Sequence, residues 1–170
     1  MKLSFATQIN GKETHFMDKI LGGLADQKLI TDKSYNYFVK KCINSRPLND
    51  FIFTADQKIH TIRKDANNRW KSGNRIDFVS NNRASKLFHF APVVECKSVQ
   101  FIQIKNNDII GKRVFVDNPE YDNLFLKELK PEEIEILSKN DGFDSVDDFW
   151  NFFANSTFTG KIIHWTDKKY

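Results

Sequence analysis

Gln57-Lys58-Ile59-His60-Thr61-Ile62-Arg63 is a short run with strand chemistry in which a lysine, a histidine, a threonine and an arginine fall close together. In a regular strand Ile59, Thr61 and Arg63 share one face, and Lys58, His60 and Ile62 share the other. Thr61 and Arg63 can then project together into a cleft while Ile62 enters the core. Lys58 joins them only from a turn ahead of the strand, which Asp56-Gln57 permits. The other reading makes Lys58 and His60 solvated edge residues, Thr61 an ordinary strand residue, and Arg63 the partner of an acidic neighbour. The rest of the chain has to decide between an edge and a site.

On the N-terminal side, Leu3, Phe5, Thr7 and Ile9 alternate with polar or small residues, which predicts an opening strand ended by the turn signal Asn10-Gly11. From Thr14, the apolar residues Phe16, Ile20, Leu21 and Leu24 fall at helical spacing, and Gly22-Gly23 weakens the last turn. Asp32 is a candidate N-cap for a second helix through Tyr35, Phe38, Val39 and Cys42, which Pro47 ends. On the C-terminal side short strands are expected at Ile76–Val79 and Arg113–Val116. A long bent or doubled one runs from Lys86 to Ile104, interrupted at Pro92. Polar turns at Ser72-Gly73-Asn74, Asn81-Asn82 and Asn106-Asn107 separate them, and this pattern argues for a small barrel or a strongly curved sheet. Pro131 then suits the first turn of a helix carrying Ile134 and Leu137, stopped by Asn140-Asp141-Gly142. Ser145-x-x-Asp148 resembles a capping box for a helix whose Phe149, Phe152 and Phe153 form one buried face. Gly160 to Trp165 closes the chain as a strand with Ile162 and Ile163 buried.

The 170 residues are expected to form one domain, and 16 phenylalanines give it a large apolar payload. No apolar run approaches a membrane span and no signal-peptide pattern opens the chain, so the expected location is cytoplasmic. Cys42 and Cys96 form no CxxC pair, and His15, His60, His89 and His164 show no metal-ligand spacing, so neither a metal nor a cofactor is expected. The net charge of +4 hides an asymmetry: residues 1–50 carry +3, residues 51–116 carry +7 and residues 117–170 carry −6. The basic middle suggests an anionic partner, nucleic acid or nucleotide, unless the fold sets the acidic third beside it and cancels the field.

Lys58-Ile59-His60-Thr61-Ile62-Arg63, followed by Arg69-Trp70-Lys71-Ser72-Gly73-Asn74 and a strand, resembles the ASCH domain, a relative of the PUA domain. Thr14 to Leu21 resembles the first helix of that family, Asp141-Gly142-Phe143 through Phe153 its later helix start, and Gly160 to Trp165 its closing strand. The resemblance covers the start of the chain and then roughly residue 56 to the end. About thirty residues, Ala25 to Asp56, intervene as a helical insert, and Tyr35, Tyr37, Phe38 and Val39 suggest that this insert packs. The resemblance implies an α+β fold: a PUA-like small β-barrel with flanking helices and a cleft, associated with RNA or modified nucleosides.

Some members of the family resemble amidohydrolases that remove the acetyl group of N4-acetylcytidine with a lysine, a threonine and a glutamate. Carried over, Lys58 matches the lysine and Thr61 the threonine, while Asp141 stands where the glutamate would be, one methylene shorter. A threonine hydroxyl attacks an amide carbonyl if a base takes its proton, and a lysine kept neutral by burial or by a neighbouring cation such as Arg63 supplies that base. Arg63 could also grip a carbonyl oxygen or a phosphate. Trp70, among Arg69, Lys71 and Arg75, either stacks a base while the cations hold phosphate or seals the barrel edge under their stems.

The leading expectation is therefore a module binding RNA or a modified nucleoside, with Arg63, Trp70, Lys71 and Arg75 as ligand contacts. The second is an amidohydrolase with Thr61 as nucleophile, Lys58 as base and Asp141 in support, which requires the three to converge. The third is a protein-interaction domain, which requires an exposed aromatic patch on the 25–56 insert.

Overall fold

In the computed structural model, which describes residues 1–45, 56–80, 87–107, 111–117, 126–154 and 156–170, the opening alternation forms β1 (Lys2–Phe5) with Leu3 and Phe5 buried. The strand expected to run on to Ile9 stops at Phe5; Gln8–Ile9 is a separate strand, β2, which Asn10-Gly11 turns into β3 (Lys12–Glu13). α1 (Phe16–Asp26) buries Ile20, Leu21 and Leu24, as their spacing requires. The helix runs through Gly22-Gly23, and Gly23 has a packing reason: a Cβ there would lie 3.0 Å from the Lys58 carbonyl oxygen and 3.3 Å from Ile59 Cγ2.

The N-cap of α2 (Asp32–Asn44) is Thr31 rather than Asp32. The Thr31 side chain accepts the Ser34 N–H at 3.2 Å, and Asp32 becomes the first helical residue, where its charge suits the positive end of the helix. Pro47, expected to stop this helix, lies outside the described residues, as do Asn81, Asn82 and Lys86.

Two compact units divide the chain: Met1–Ile59 with Asn74–Glu95, and His60–Gly73 with Cys96–Tyr170. β4 (His60–Arg63) therefore belongs to the second unit. In the first, β5 (Arg75–Ser80) pairs parallel to β1 and antiparallel to β6 (Phe88–His89) and β7 (Val94–Glu95). The bent or doubled strand expected over 86–104 is interrupted at Pro92 as expected, and it divides once more before Ser98. β6 and β7 flank Pro92 in the first unit, and β8 (Ser98–Asn107) opens the main sheet of the second. Proline has no N–H to give a ladder, which accounts for the interruption between β6 and β7.

The second unit continues with β9 (Gly111–Asp117), β10 (Leu126–Glu128), α3 (Pro131–Asn140), α4 (Val146–Phe152) and β11 (Ser156–His164). Its antiparallel sheet has the order β10-β9-β8-β11-β4. One face of this sheet, with Ile62, Ile102, Ile104, Val114, Val116 and Ile162, packs against Leu129, Ile134, Leu137, Phe149, Trp150 and Phe153. Pro131 opens α3 as its sequence suggests, and Glu133 reaches back to the Lys130 N–H at 2.8 Å. Ser145 caps α4 by accepting the Asp148 N–H at 3.1 Å.

Phe149 and Phe153, four residues apart, face the core. Phe152 falls to the other side of this short helix and is 50% exposed, with its ring against Phe143 and Phe153 at the rim. Ile162, Ile163 and Trp165 are fully buried.

The architecture is mixed α+β. Among the described residues the sheets are open, β4 and β10 being the edges of the five-stranded one. No described helix is long and apolar enough to cross a membrane.

Candidate functional site

β4 pairs with β11 in the register Arg63–Lys161, Ile62–Ile162, Thr61–Ile163 and His60–His164. An edge strand must satisfy its outward N–H groups by other means. Here the Ile62 N–H donates to Asp141 Oδ1 at 3.1 Å, so the carboxylate at the end of α3 caps the sheet edge. A carboxylate at a helix C-terminus is electrostatically disfavoured. This one is 5% exposed; the His60 Nδ1 stands 3.7 Å from its Oδ1, and the Arg63 guanidinium feels its charge. Burial lowers the Arg63 pKa, and Asp141 acts against that shift.

His60 is buried, not a solvated edge residue. Its Nε2 is hydrogen bonded with the Tyr170 hydroxyl at 2.7 Å, which in turn accepts from Asn140 Nδ2 at 2.7 Å. Burial raises the Tyr170 pKa, against the hydrogen bond from Asn140. The Tyr170 backbone is clamped to Gln100, N–H to Oε1 at 3.0 Å and carbonyl from Nε2 at 3.1 Å. The His164 ring lies 5.4 Å from the His60 ring. Neither His164 nitrogen has a hydrogen-bond partner among the described residues, and burial, with Lys169 adding to it, pushes its pKa down to about 4.

Residues directly opposite on neighbouring strands share a face. The face carrying Thr61 and Arg63 therefore carries Lys161 and Ile163 of β11, and Phe101 and Val99 opposite them on β8. Asp117, which follows Val116, and its partner Leu126 continue the row. A groove of about 700 Å³ runs over part of this face, lined by Trp70, Lys71, Phe101, Asp117, Lys161 and Lys169 together with Lys97, Ser98 and their neighbours. Burial raises the Asp117 pKa, while hydrogen bonds from the Phe101 backbone and Gln100 act against it.

Asp65 holds two of the groove's residues, Trp70 and Lys161, in place. Its side chain, almost wholly covered, accepts the N–H of Arg69 at 3.1 Å and of Trp70 at 2.9 Å. Its Oδ2 also holds Lys161 Nζ at 3.3 Å, and that ammonium further reaches the Trp70 carbonyl at 3.3 Å and Asn68 Oδ1. Burial alone would raise the Asp65 pKa, but these bonds together outweigh it and the pKa is lowered. Trp70 is buried at the groove, while Lys71 beside it is exposed.

The second unit thus brings together Thr61, Arg63 and Asp141 around β4, and Trp70 and Lys71 at the groove. Lys58 and Arg75 belong to the first unit. Lys58 precedes β4 in irregular backbone and is 1% exposed. Its N–H donates to the Lys19 carbonyl at 3.1 Å, and its Nζ lies 4.7 Å from the Phe16 ring centroid. Arg75 is exposed on β5, opposite Glu95.

Sequence reasoning passed over Asp65, although an Asp a few residues ahead of the Trp70 turn is a local signal of an acceptor for that turn's N–H groups. Lys97, Lys161, Lys169 and Tyr170 carry no local signal, because only contacts between segments distant in sequence bring them in. No protein-family model, curated protein or solved structure matches the chain.

Proposed function

We propose that the chain is a module that binds RNA or a modified nucleoside, of ASCH type, its open sheet being part of a PUA-like barrel. One observation carries the reading: a groove of about 700 Å³ on the sheet face of Thr61 and Arg63 joins aromatic walls, Trp70 and Phe101, to four lysines, Lys71, Lys97, Lys161 and Lys169. The volume suits a ligand of nucleoside size. Aromatic surface with surrounding ammonium groups is the chemistry that holds a base and its phosphates. Asp117, lining the same groove, offers an acceptor for an exocyclic amino group.

The test is binding of a short labelled single-stranded RNA across a salt series. The logarithm of affinity should fall linearly with the logarithm of salt, and Lys71→Ala with Lys97→Ala should flatten the slope by about 1.4. Absence of binding, or binding indifferent to salt, would sink the reading.

A second reading, hydrolysis of an N4-acylated cytidine, is favoured by the burial of all three matching side chains: Lys58 at 1%, Thr61 at 3% and Asp141 at 5% exposure. In this chemistry Thr61 Oγ bonds to the acetyl carbon as its proton passes to a neutral base, the role that the resemblance implies for Lys58. The cytidine amine then leaves with a proton, and water releases acetate from the threonine ester. Chromatography of N4-acetylcytidine reads it directly: turnover that both Lys58→Ala and Thr61→Ala abolish is the expected result. No turnover by the folded wild-type protein removes it.

A further inference from the structure

We propose that the outer face of α2 is a second nucleic-acid contact, on which single-stranded RNA lays phosphates along Lys33 and Lys40 and stacks a base on Tyr37. The inference rests on the RNA-binding reading above and extends it from the groove of the second unit to a surface of the first.

The helix has two unlike faces. Val39 and Cys42 are buried, and Cys42 Sγ is directed at the Phe90 carbonyl 3.7 Å away. Lys41 is drawn to that side as well. Its Nζ donates to the His89 carbonyl at 2.8 Å and lies 5.4 Å from the Phe88 ring centroid. Lys33, Tyr37, Lys40 and Asn44 recur at intervals of three and four residues, so they form one stripe about 16 Å long. All four are exposed, and Tyr37, at 62%, is the most exposed of the large apolar side chains described. Lys33 and Lys40 form no ion pair with a described residue. Beside Tyr37 and Lys40 a shallow groove of about 350 Å³ continues past Asn44 to Ser45.

The chemistry of the stripe selects the occupant. A partner helix or an apolar peptide needs apolar anchors at successive turns. Here the turns on either side of Tyr37 offer ammonium, ammonium and amide, and Phe38 is only half exposed. Among the described residues of α2, Tyr37 is thus a single exposed ring between two cations, while Phe51 and Phe53 of the 25–56 insert lie outside the described residues. A chain that is negatively charged along its length and carries flat π faces fits this arrangement, and single-stranded RNA is such a chain.

The probe is a short fluorescein-labelled oligouridine, read by anisotropy over a salt series on the whole protein. The variants are Tyr37→Ala, Tyr37→Phe and the pair Lys33→Ala/Lys40→Ala, with far-UV circular dichroism and urea midpoints to show that each is folded. Tyr37→Ala should weaken binding about tenfold, and Tyr37→Phe, which keeps the ring, about twofold at most. The lysine pair should flatten the salt slope by about 1.4.

Three results overturn the inference while leaving the groove reading intact, provided that the Lys71/Lys97 variant still weakens binding. The first is wild-type affinity and slope in every α2 variant. The second is weakening by the lysine pair without any effect of Tyr37→Ala, which would refute stacking. The third is unchanged RNA binding with lost retention on polyglutamate, which would reassign the face to an acidic protein. Failure of the wild type to bind oligouridine at all would remove both.

Discussion

His164 ends β11 as a neutral imidazole packed away from water, and this fixes the sign of a pH effect. Its folded pKa of about 4 lies below the ordinary value of 6.5. Above pH 6.5 the ring is neutral in both states and imposes no dependence. As the pH falls below 6.5 the unfolded chain takes up a proton that the folded chain refuses, so stability drains away until the folded value near 4 is reached and then levels. The gap corresponds to about 3 kcal/mol in full, with about 2 kcal/mol lost by pH 5. Urea midpoints at pH 7 and pH 5 should therefore converge in His164→Phe relative to wild type, and an undiminished gap would assign the acid sensitivity elsewhere. Asp141 separates structure from charge in another way. Asp141→Asn retains an oxygen for the Ile62 N–H, whereas Asp141→Ala leaves that N–H buried and unpaired. Alanine should cost about 1–3 kcal/mol in urea denaturation and asparagine clearly less. Equal costs would mean that the carboxylate charge beside Arg63 and His60, not the edge cap, is what matters.

At the scale of elements, β11 is the strand on which the second unit turns, since among the described residues it alone joins β4 to the rest of the sheet. Gly160 makes that junction possible. A Cβ there would come within 2.5 Å of the Arg63 carbonyl oxygen and 2.6 Å of the Phe158 ring, and the first of these is backbone that cannot swing aside. Gly160→Ala should therefore destabilise the protein by about 1–3 kcal/mol, the range of an overpacked site. A melting temperature equal to wild type would show that β4 has room to shift. The closing strand was legible because Ile162-Ile163 is a local apolar signal, and α1, α3 and the Ser145 cap were legible for the same reason. The interruption at Pro92 was legible too, but the assignment of 86–104 to β6, β7 and β8 was not, because it depends on partners distant in sequence: β5 for the first two, β9 and β11 for the third. The site divides likewise. The polar run at 58–63 announced itself, and strand alternation correctly set Thr61 and Arg63 apart from His60 and Ile62. The groove opposite needed Lys161 to align with both Arg63 and Phe101, and a register of that kind is written in pairing rather than in any one segment.

For the whole molecule, the charge asymmetry along the sequence does not survive folding as a simple division. The four groove lysines come from the basic middle and from the acidic last third alike. Several carboxylates of that third are paired where they stand: Glu128 with Arg113 at 2.6 Å, Glu133 with Lys127 at 2.6 Å and Glu135 with Lys139 at 3.1 Å. Connectivity is divided too. The chain passes between its two units three times, so β4 and the Asp65–Trp70 loop enter the second unit as a segment spliced in ahead of its main body. A chain reduced to residues 96–170 keeps β8 to β11, α3 and α4 but loses Ile62 from the core, and Asp141 loses the N–H it caps. Such a fragment should unfold in urea over a broad, weakly cooperative transition, since a shallow slope marks incomplete burial. The Gly73 N–H donates to the Cys96 carbonyl at 2.9 Å, so the points where the chain leaves and re-enters this unit adjoin each other. Residues 60–73 can therefore be joined to 96–170 through a short glycine linker, and the joined chain should show a steeper transition at higher urea than 96–170 alone. Identical transitions would mean that β4 adds nothing to the second unit, and the edge built by Ile62, Asp141 and His60 would then be a consequence of its fold and not a part of its support.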